Sequence, residues 1–256
     1  MGALTVQFVG AGPGAAELLT VRAARLLAEA DVVLYPGSYL DPQVLAHCSS
    51  TADLVDTADL NLDAITDRLV TAHRAGRAVV RLVSGDPSLY SAVFEQTRRL
   101  DAAGVPWEVT PGVPAYAAAA AALGRELTVP LVTQSVVLTR VQASSTAMPE
   151  RESLAAFAAT QATLVLHLAI TRTRELMAQL ESEYGPDCPV AVVYRASQPE
   201  ELVLRGTIAD IADAVEAAGL RSAAVILVGR AVADLPDPCA GESHLYDPAR
   251  DRSGPG

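Results

Sequence analysis

Three short stretches place constrained backbone and an acid where apolar runs should end. "VGAGPGAAE" carries Gly10, Gly12 and Gly14 around Pro13, "LVSGDPSLYSA" sets Asp86 between Gly85 and Pro87, and "TPGVPAY" holds Pro111, Gly112 and Pro114. A glycine-rich turn between a strand and a helix is where the pyrophosphate of a dinucleotide would lie. The spacing here is GxGxG, however, with Ala15 where a last glycine could fall, and Pro13 removes an amide that would have faced the phosphates. The second strand, "VVLY", runs into Pro36 and Gly37 with no acid at its tip for a ribose, which counts against an NAD-dependent oxidoreductase. Asp86 followed by Pro87 reads as a helix N-cap with proline at the first helical position. The same residue should stand at the carboxyl end of a sheet strand, the edge where open α/β sheets hold ligands. The third turn reads either as a hinge or as part of that ligand edge.

These turns need a sheet to carry them. "LTVQFVG" (4–10) reads as a buried strand, Thr20 caps a helix "VRAARLLAEA" whose Val21, Ala24, Leu27 and Ala28 share a face, and "DVVLYPG" supplies the second strand. A helix over 61–76 stops at Gly76 and is followed by the strand "AVVRLVSG", the helix "SLYSAVFEQTRRLDAAG" and the strand "WEVTPG". Strands alternating with helices imply a parallel sheet. The alanine run in "VPAYAAAAAALGRELTVP" makes a slim helix closed by Gly124. Beyond it lie the strands "VVLTR" and "TLVLHLA", separated by the polar "VQASSTAMPERES" and a short helix near 153–160. Then come a helix over 172–184, the strands "PVAVVYRA" and "LVLRGT", a helix over 208–218 and the strand "AAVILVG". Two successive strands with no helix between them imply an antiparallel pair, hence a mixed second sheet. The expected fold is α/β in two domains, 1–113 with a mostly parallel sheet and 118–235 with a mixed one. A flexible tail over 236–256, rich in Pro, Gly, Asp and Ser, follows.

Composition narrows the partners. Of the 256 residues 50% are hydrophobic, ample for a core, while 30 acidic against 19 basic side chains give a net charge of -11 and argue against a nucleic-acid surface. Cys48, Cys188 and Cys239 are widely spaced and odd in number, which favours a reducing cytoplasmic setting over a disulfide framework. His47, His73, His167 and His244 show no zinc-type spacing, so no metal is expected. The N-terminus reads as a first strand rather than a signal peptide, and no run is long enough for a membrane span.

Taken together, "VGAGPG", "LLTVRAARLLAEADVVLYPGS", "SGDPSLY", "TPGVPAYAAAAAALGRELT" and "CPVAVVYRASQPEELVLRGT" resemble the tetrapyrrole methyltransferase family over nearly the whole chain. Within it, the "TR" to "AMPE" segment and "ESHLYDP" mark one subgroup, acting on a corrin precursor. The resemblance implies two α/β domains with the active site in the cleft between them, S-adenosylmethionine as methyl donor, a tetrapyrrole substrate and a homodimer. It places Pro13, Ser84, Gly85, Asp86, Leu89, Tyr90, Pro114, Ala115, Leu168 and Ala196 at the cofactor, and Gly12 on the substrate path. Leu168 stands where methionine is often found, and Ser84 where a second glycine is common. A substrate rich in carboxylates needs local cations, for which Arg140, Arg125, Arg172 and Arg195 are candidates, Arg140 foremost because it closes a strand beside the subgroup segment. A non-catalytic tetrapyrrole carrier remains an alternative, and no catalytic base is identified.

Overall fold

The structure is a computed structural model that describes residues 5–37, 40–141, 147–234 and 239–244. The chain divides into two units: Met1–Ala118 with Arg195–Glu200, and Ala119–Tyr194 with Glu201–Gly256. Of the expected tail, only 239–244 are described; the remainder, like residues 142–146 of the subgroup segment, lies outside the described residues.

The first unit is built on β1 (Val6–Gly10), α1 (Val21–Glu29), β2 (Val32–Tyr35), α2 (Pro42–Leu45), β3 (Asp53–Asp56), α3 (Leu62–Arg74), β4 (Val79–Val83), α4 (Val93–Ala102) and β5 (Trp107–Thr110). All its strand pairs are parallel, in the order β3-β2-β4-β1-β5. Every residue of the central β4 is buried, as a strand covered on both faces must be. The period of two sorts the core into layers. Val6, Phe8, Val32, Leu34 and Val79 meet Ile65, Leu69 and Leu100 from α3 and α4, while Val9, Val33, Val80 and Leu82 meet Ala23 and Leu27 from α1 and Val44 from α2.

Thr20 caps α1 as expected, its hydroxyl accepting the Ala23 amide at 3.1 Å. The stripe that packs is Ala23, Leu27 and Ala30, whereas Val21 at the first helical position is 91% exposed. The sequence reading lacks α2 and β3. β3 is the sheet edge, "DLVD", largely exposed and held by backbone pairing with β2, so it carries no apolar run to read. A second correction concerns α4, expected to begin at Ser88. It begins at Val93, because Tyr90 (φ 51°) and Ala92 (φ 52°) are left-handed and interrupt any helix there.

α5 (Ala115–Leu123) runs from the first unit into the second. The second unit contains β6 (Val136–Arg140), α6 (Leu154–Ala158), β7 (Thr163–His167), α7 (Thr173–Tyr184), β8 (Pro189–Tyr194), β9 (Leu202–Thr207), α8 (Ile211–Ala217) and β10 (Ala224–Val228). Its sheet has the order β6-β7-β10-β8-β9, with β6 and β7 parallel and the other pairs antiparallel. This is the mixed sheet that the adjacent strands β8 and β9 required. Leu164, Leu166, Val190, Val192, Ile226 and Val228 bury against Leu176, Met177 and Leu180 of α7 and Ile211 and Val215 of α8.

Candidate active site

Strand order brings the three turns together at the carboxyl edge of the first sheet, since β1 lies between β4 and β5. Gly12 and Gly85 exchange a pair of backbone hydrogen bonds, 3.1 Å from the Gly12 amide and 2.8 Å from the Gly85 amide. The Asp86 carboxylate accepts the Gly112 amide at 2.8 Å, joining the second turn to the third. Contact is so close that a Cβ on Gly10 would lie 2.5 Å from the Gly112 nitrogen, and one on Gly112 would lie 2.3 Å from the Gly85 carbonyl oxygen. Glycine at 10 and 112 is thus a steric requirement, while at 85 it permits φ +65°.

Asp86 is not the N-cap that its Asp-Pro sequence suggests. Its Oδ1 accepts the Ser88 amide at 2.8 Å and the Ser88 hydroxyl, its Oδ2 accepts the Gly112 amide, and α4 begins only at Val93. Partial burial pushes its pKa up, but the donors from the Ser88 hydroxyl, the Gly112 amide and the Ser88 amide together bring it below the usual carboxylate value. It is therefore ionised at neutral pH. Both its oxygens accept hydrogen bonds within the protein, so Asp86 shapes the turn as well as charging it.

The segment between β8 and β9 also belongs to this edge, a feature absent from the sequence reading beyond Ala196. Ser197 Oγ accepts the Ala15 amide at 3.1 Å, and Gln198 Nε2 donates to the Pro13 carbonyl at 3.1 Å. A Cβ on Gly14 would overlap Gln198 Cγ at 2.2 Å. Arg195 (φ 46°) and Ser197 (φ 68°) are both left-handed around Ala196, which is 6% exposed. These contacts bear on the dinucleotide alternative. The amides of Gly12 and Ala15 are taken and Pro13 has none, so three positions of the turn offer no donor to a pyrophosphate. The acid reaching the tip of β2 is Asp56 from β3, and it accepts the amides of Gly37 and Ala58.

Of the expected cofactor residues, Pro13, Ser84, Gly85, Asp86, Leu89, Tyr90, Pro114, Ala115 and Ala196, with Gly12, all belong to the first unit. Ser84 and Tyr90 are exposed, Leu89 is half-buried, and Pro114 opens α5 by accepting the Ala117 and Ala118 amides. Gly85 is buried against the third turn: a Cβ there would be in ordinary contact with Ala115 N at 3.8 Å and Pro114 Cα at 3.9 Å. A ligand without phosphates fits such an edge, made of glycine backbone, carbonyls and a proline wall.

In the second unit, Arg140 and His167 are register partners at the ends of the parallel pair β6 and β7, and Leu168 follows, 67% exposed with φ 55°. Burial pulls the His167 pKa down, leaving a neutral imidazole at pH 7. Arg140 and Arg172 line one hollow of about 520 Å³ with Met148, Glu152 and Ser153. Arg172 also bonds Glu175 at 2.9 Å through Nε. The other candidate arginines have structural duties: Arg125 donates to the carbonyls of Ala233 (2.7 Å) and Asp234, and Arg195 pairs with Glu200 at 3.2 Å. Among the described residues no group of three or more His, Cys, Asp or Glu could hold a metal ion, and no helix is long and apolar enough to cross a membrane.

Residues 5–212 match the model of the Tetrapyrrole (Corrin/Porphyrin) Methylases. A precorrin-4 C(11)-methyltransferase of Rhodococcus erythropolis is 54% identical over 250 residues, covering 98% of this chain and 99% of its own. The crystal structure of a cobalt precorrin-4 methyltransferase superposes with a TM-score of 0.86 at 39% identity, covering 90% of this chain and 96% of the other. A uroporphyrin-III C-methyltransferase from Thermus thermophilus, solved with S-adenosylhomocysteine, matches with a TM-score of 0.76 at 32% identity, over 89% and 98% of the two chains.

Proposed function

Because the chain belongs to the tetrapyrrole methylase family, we propose that it transfers a methyl group from S-adenosylmethionine to carbon 11 of precorrin-4, giving precorrin-5 in cobalamin (vitamin B12) synthesis. The observation that carries the reading is the knot of three turns at the first sheet's edge, where Gly12, Pro13 and Ala15 have no amide to spare for a phosphate, in a chain 54% identical to an enzyme of that activity.

When bound, S-adenosylmethionine supplies a methyl group already activated by its sulfonium charge, so the protein needs no covalent nucleophile. This chain's part is to hold and orient. The turns at Gly12–Pro13, Ser84–Tyr90 and Pro114–Ala115, with Ala196, take the donor. Asp86, bonded to Ser88 and Gly112, fixes the turn and keeps its negative charge there, where it orients a cationic donor and attacks nothing. Rate then comes from alignment and exclusion of water. Arg140, with Arg172 beside it, meets the carboxylates of the substrate that an acidic protein would otherwise repel.

Incubation of the purified protein with methyl-labelled S-adenosylmethionine and precorrin-4, followed by NMR location of the new methyl group, tests the reading. Label at carbon 11 supports it, label at another ring position makes the protein a related methylase, and binding without turnover makes it a carrier. A parallel reaction with cobalt-precorrin-4 distinguishes the second reading, which the 39% identical cobalt enzyme favours. The same reading includes a cytoplasmic homodimer, to be checked by sedimentation.

A further inference from the structure

β4 reads "VVRLV", and the arginine in its middle is buried with the rest of the strand: Arg81 is 7% exposed. Among the described residues no carboxylate pairs with it, and its partners are neutral. Nε donates to Gln96 Oε1 at 3.1 Å and Nη1 to Thr57 Oγ1 at 3.1 Å. Burial lowers its pKa to about 10, so it remains a cation at neutral pH. A buried cation held only by neutral groups is costly, and a strand this apolar would accept methionine or leucine in its place.

The two partners lead to different places. Thr57, 6% exposed, passes its own hydroxyl hydrogen to the Tyr35 carbonyl at 3.0 Å, at the end of β2. Gln96, 2% exposed on α4, donates through Nε2 to the Ala92 carbonyl at 3.0 Å. Ala92 is the left-handed residue that closes the Ser84–Ala92 turn, and no side chain caps the helix there. With Oε1 held by the guanidinium, the Gln96 amide has one orientation, the one that aims its N–H at Ala92. The turn is thus fixed near its start by Asp86 on Gly112 and at its finish by Arg81 through Gln96.

We propose that Arg81 is a positioning residue for the donor-binding turn, acting through the Gln96 amide on the Ala92 carbonyl. This rests on the reading that Ser84–Ala92 binds S-adenosylmethionine. Two single variants separate positioning from simple support. Thr57→Val and Gln96→Met each remove one neutral partner of Arg81, and both should lower the melting temperature. Only Gln96→Met removes the side-chain bond to the Ala92 carbonyl, which keeps the Gln96 backbone amide at 3.4 Å. It should weaken S-adenosylhomocysteine binding about fivefold by calorimetry, the equivalent of one neutral hydrogen bond, while Thr57→Val stays within about twofold. Amide hydrogen exchange over residues 88–93 should quicken in Gln96→Met alone, with or without ligand. If Gln96→Met folds poorly, the double variant Arg81→Met with Gln96→Met removes both polar groups; it should regain stability yet keep the weakened affinity and the faster exchange. Equal affinities and equal exchange in all variants would overturn the proposal, as would an equal affinity loss in Thr57→Val. Absence of ligand binding in the unaltered protein instead sinks the donor reading, and the exchange measurement then still decides whether the relay holds the turn.

Discussion

Replacing Gly112 with alanine tests the central geometric claim, that three strand ends meet with no room for a side chain. The new Cβ would lie 2.3 Å from the Gly85 carbonyl oxygen, 2.9 Å from Gly10 Cα and 3.0 Å from the Gly10 carbonyl carbon, where ordinary contact begins near 3.4 Å. Every obstacle is backbone at the end of a sheet strand, so none can swing aside. Gly85 would have to recede by roughly 1 Å, which strains the paired bonds between Gly12 and Gly85 and the bond from Gly112 to Asp86. Overpacking of this kind costs about 1–3 kcal/mol, and one lost hydrogen bond adds about 1 kcal/mol. A loss of about 2–4 kcal/mol corresponds to roughly 5–15 °C in melting temperature for a chain of this size. Gly104→Ala is the control. Its Cβ meets nothing within 4 Å, and its φ of +66° alone brings a strain of about 1 kcal/mol. Urea unfolding of both variants, with S-adenosylhomocysteine titrated into each, measures the difference. If Gly112→Ala loses no more stability than Gly104→Ala and binds as the unaltered protein does, the three turns are not packed as described.

Other consequences follow from single side chains. The folded-state pKa of Asp86 is depressed, so its stabilising effect is complete above the unfolded value of about 3.9 and disappears as pH falls through the lower folded value. Asp86→Asn should therefore be less stable at neutral pH and begin to approach the parent only as pH falls below about 4; urea midpoints that run parallel from neutral to acid pH would contradict the assignment. Arg140→Ala should weaken tetrapyrrole binding by about tenfold or more, the scale of a charge-assisted hydrogen bond, and leave S-adenosylhomocysteine affinity unchanged; equal losses for both ligands, or none, would remove Arg140 from the substrate site. Burial pushes the Cys188 thiol up to about 11 and also raises Cys48, whereas Cys239 is exposed. Mass spectrometry after mild alkylation should find Cys239 modified first and Cys188 only on unfolding.

Much of this protein is determined by sequence alone. β1, β4, β7, β8 and β10 are apolar runs because both faces of each are covered, and Thr20 and Gly124 mark helix ends by chemistry that acts within a few residues. The family motifs are contiguous, and so they too can be read. What tertiary structure decided is the use of each turn. Asp86 beside Pro87 is indistinguishable from a helix cap until strand order brings Gly112, 26 residues away, within reach of its second oxygen. Gly10, Gly85 and Gly112 are three ordinary turn glycines in the sequence and one steric contact in the fold. Ser197 and Gln198 find Ala15 and Pro13 from 182 and 185 residues away. The signal for Arg81 was present, a charge inside "VVRLV", but its meaning required Gln96 and Ala92. Local preference acts over one or two turns of chain, whereas a binding edge forms from strand ends whose adjacency depends on burial of the whole sheet.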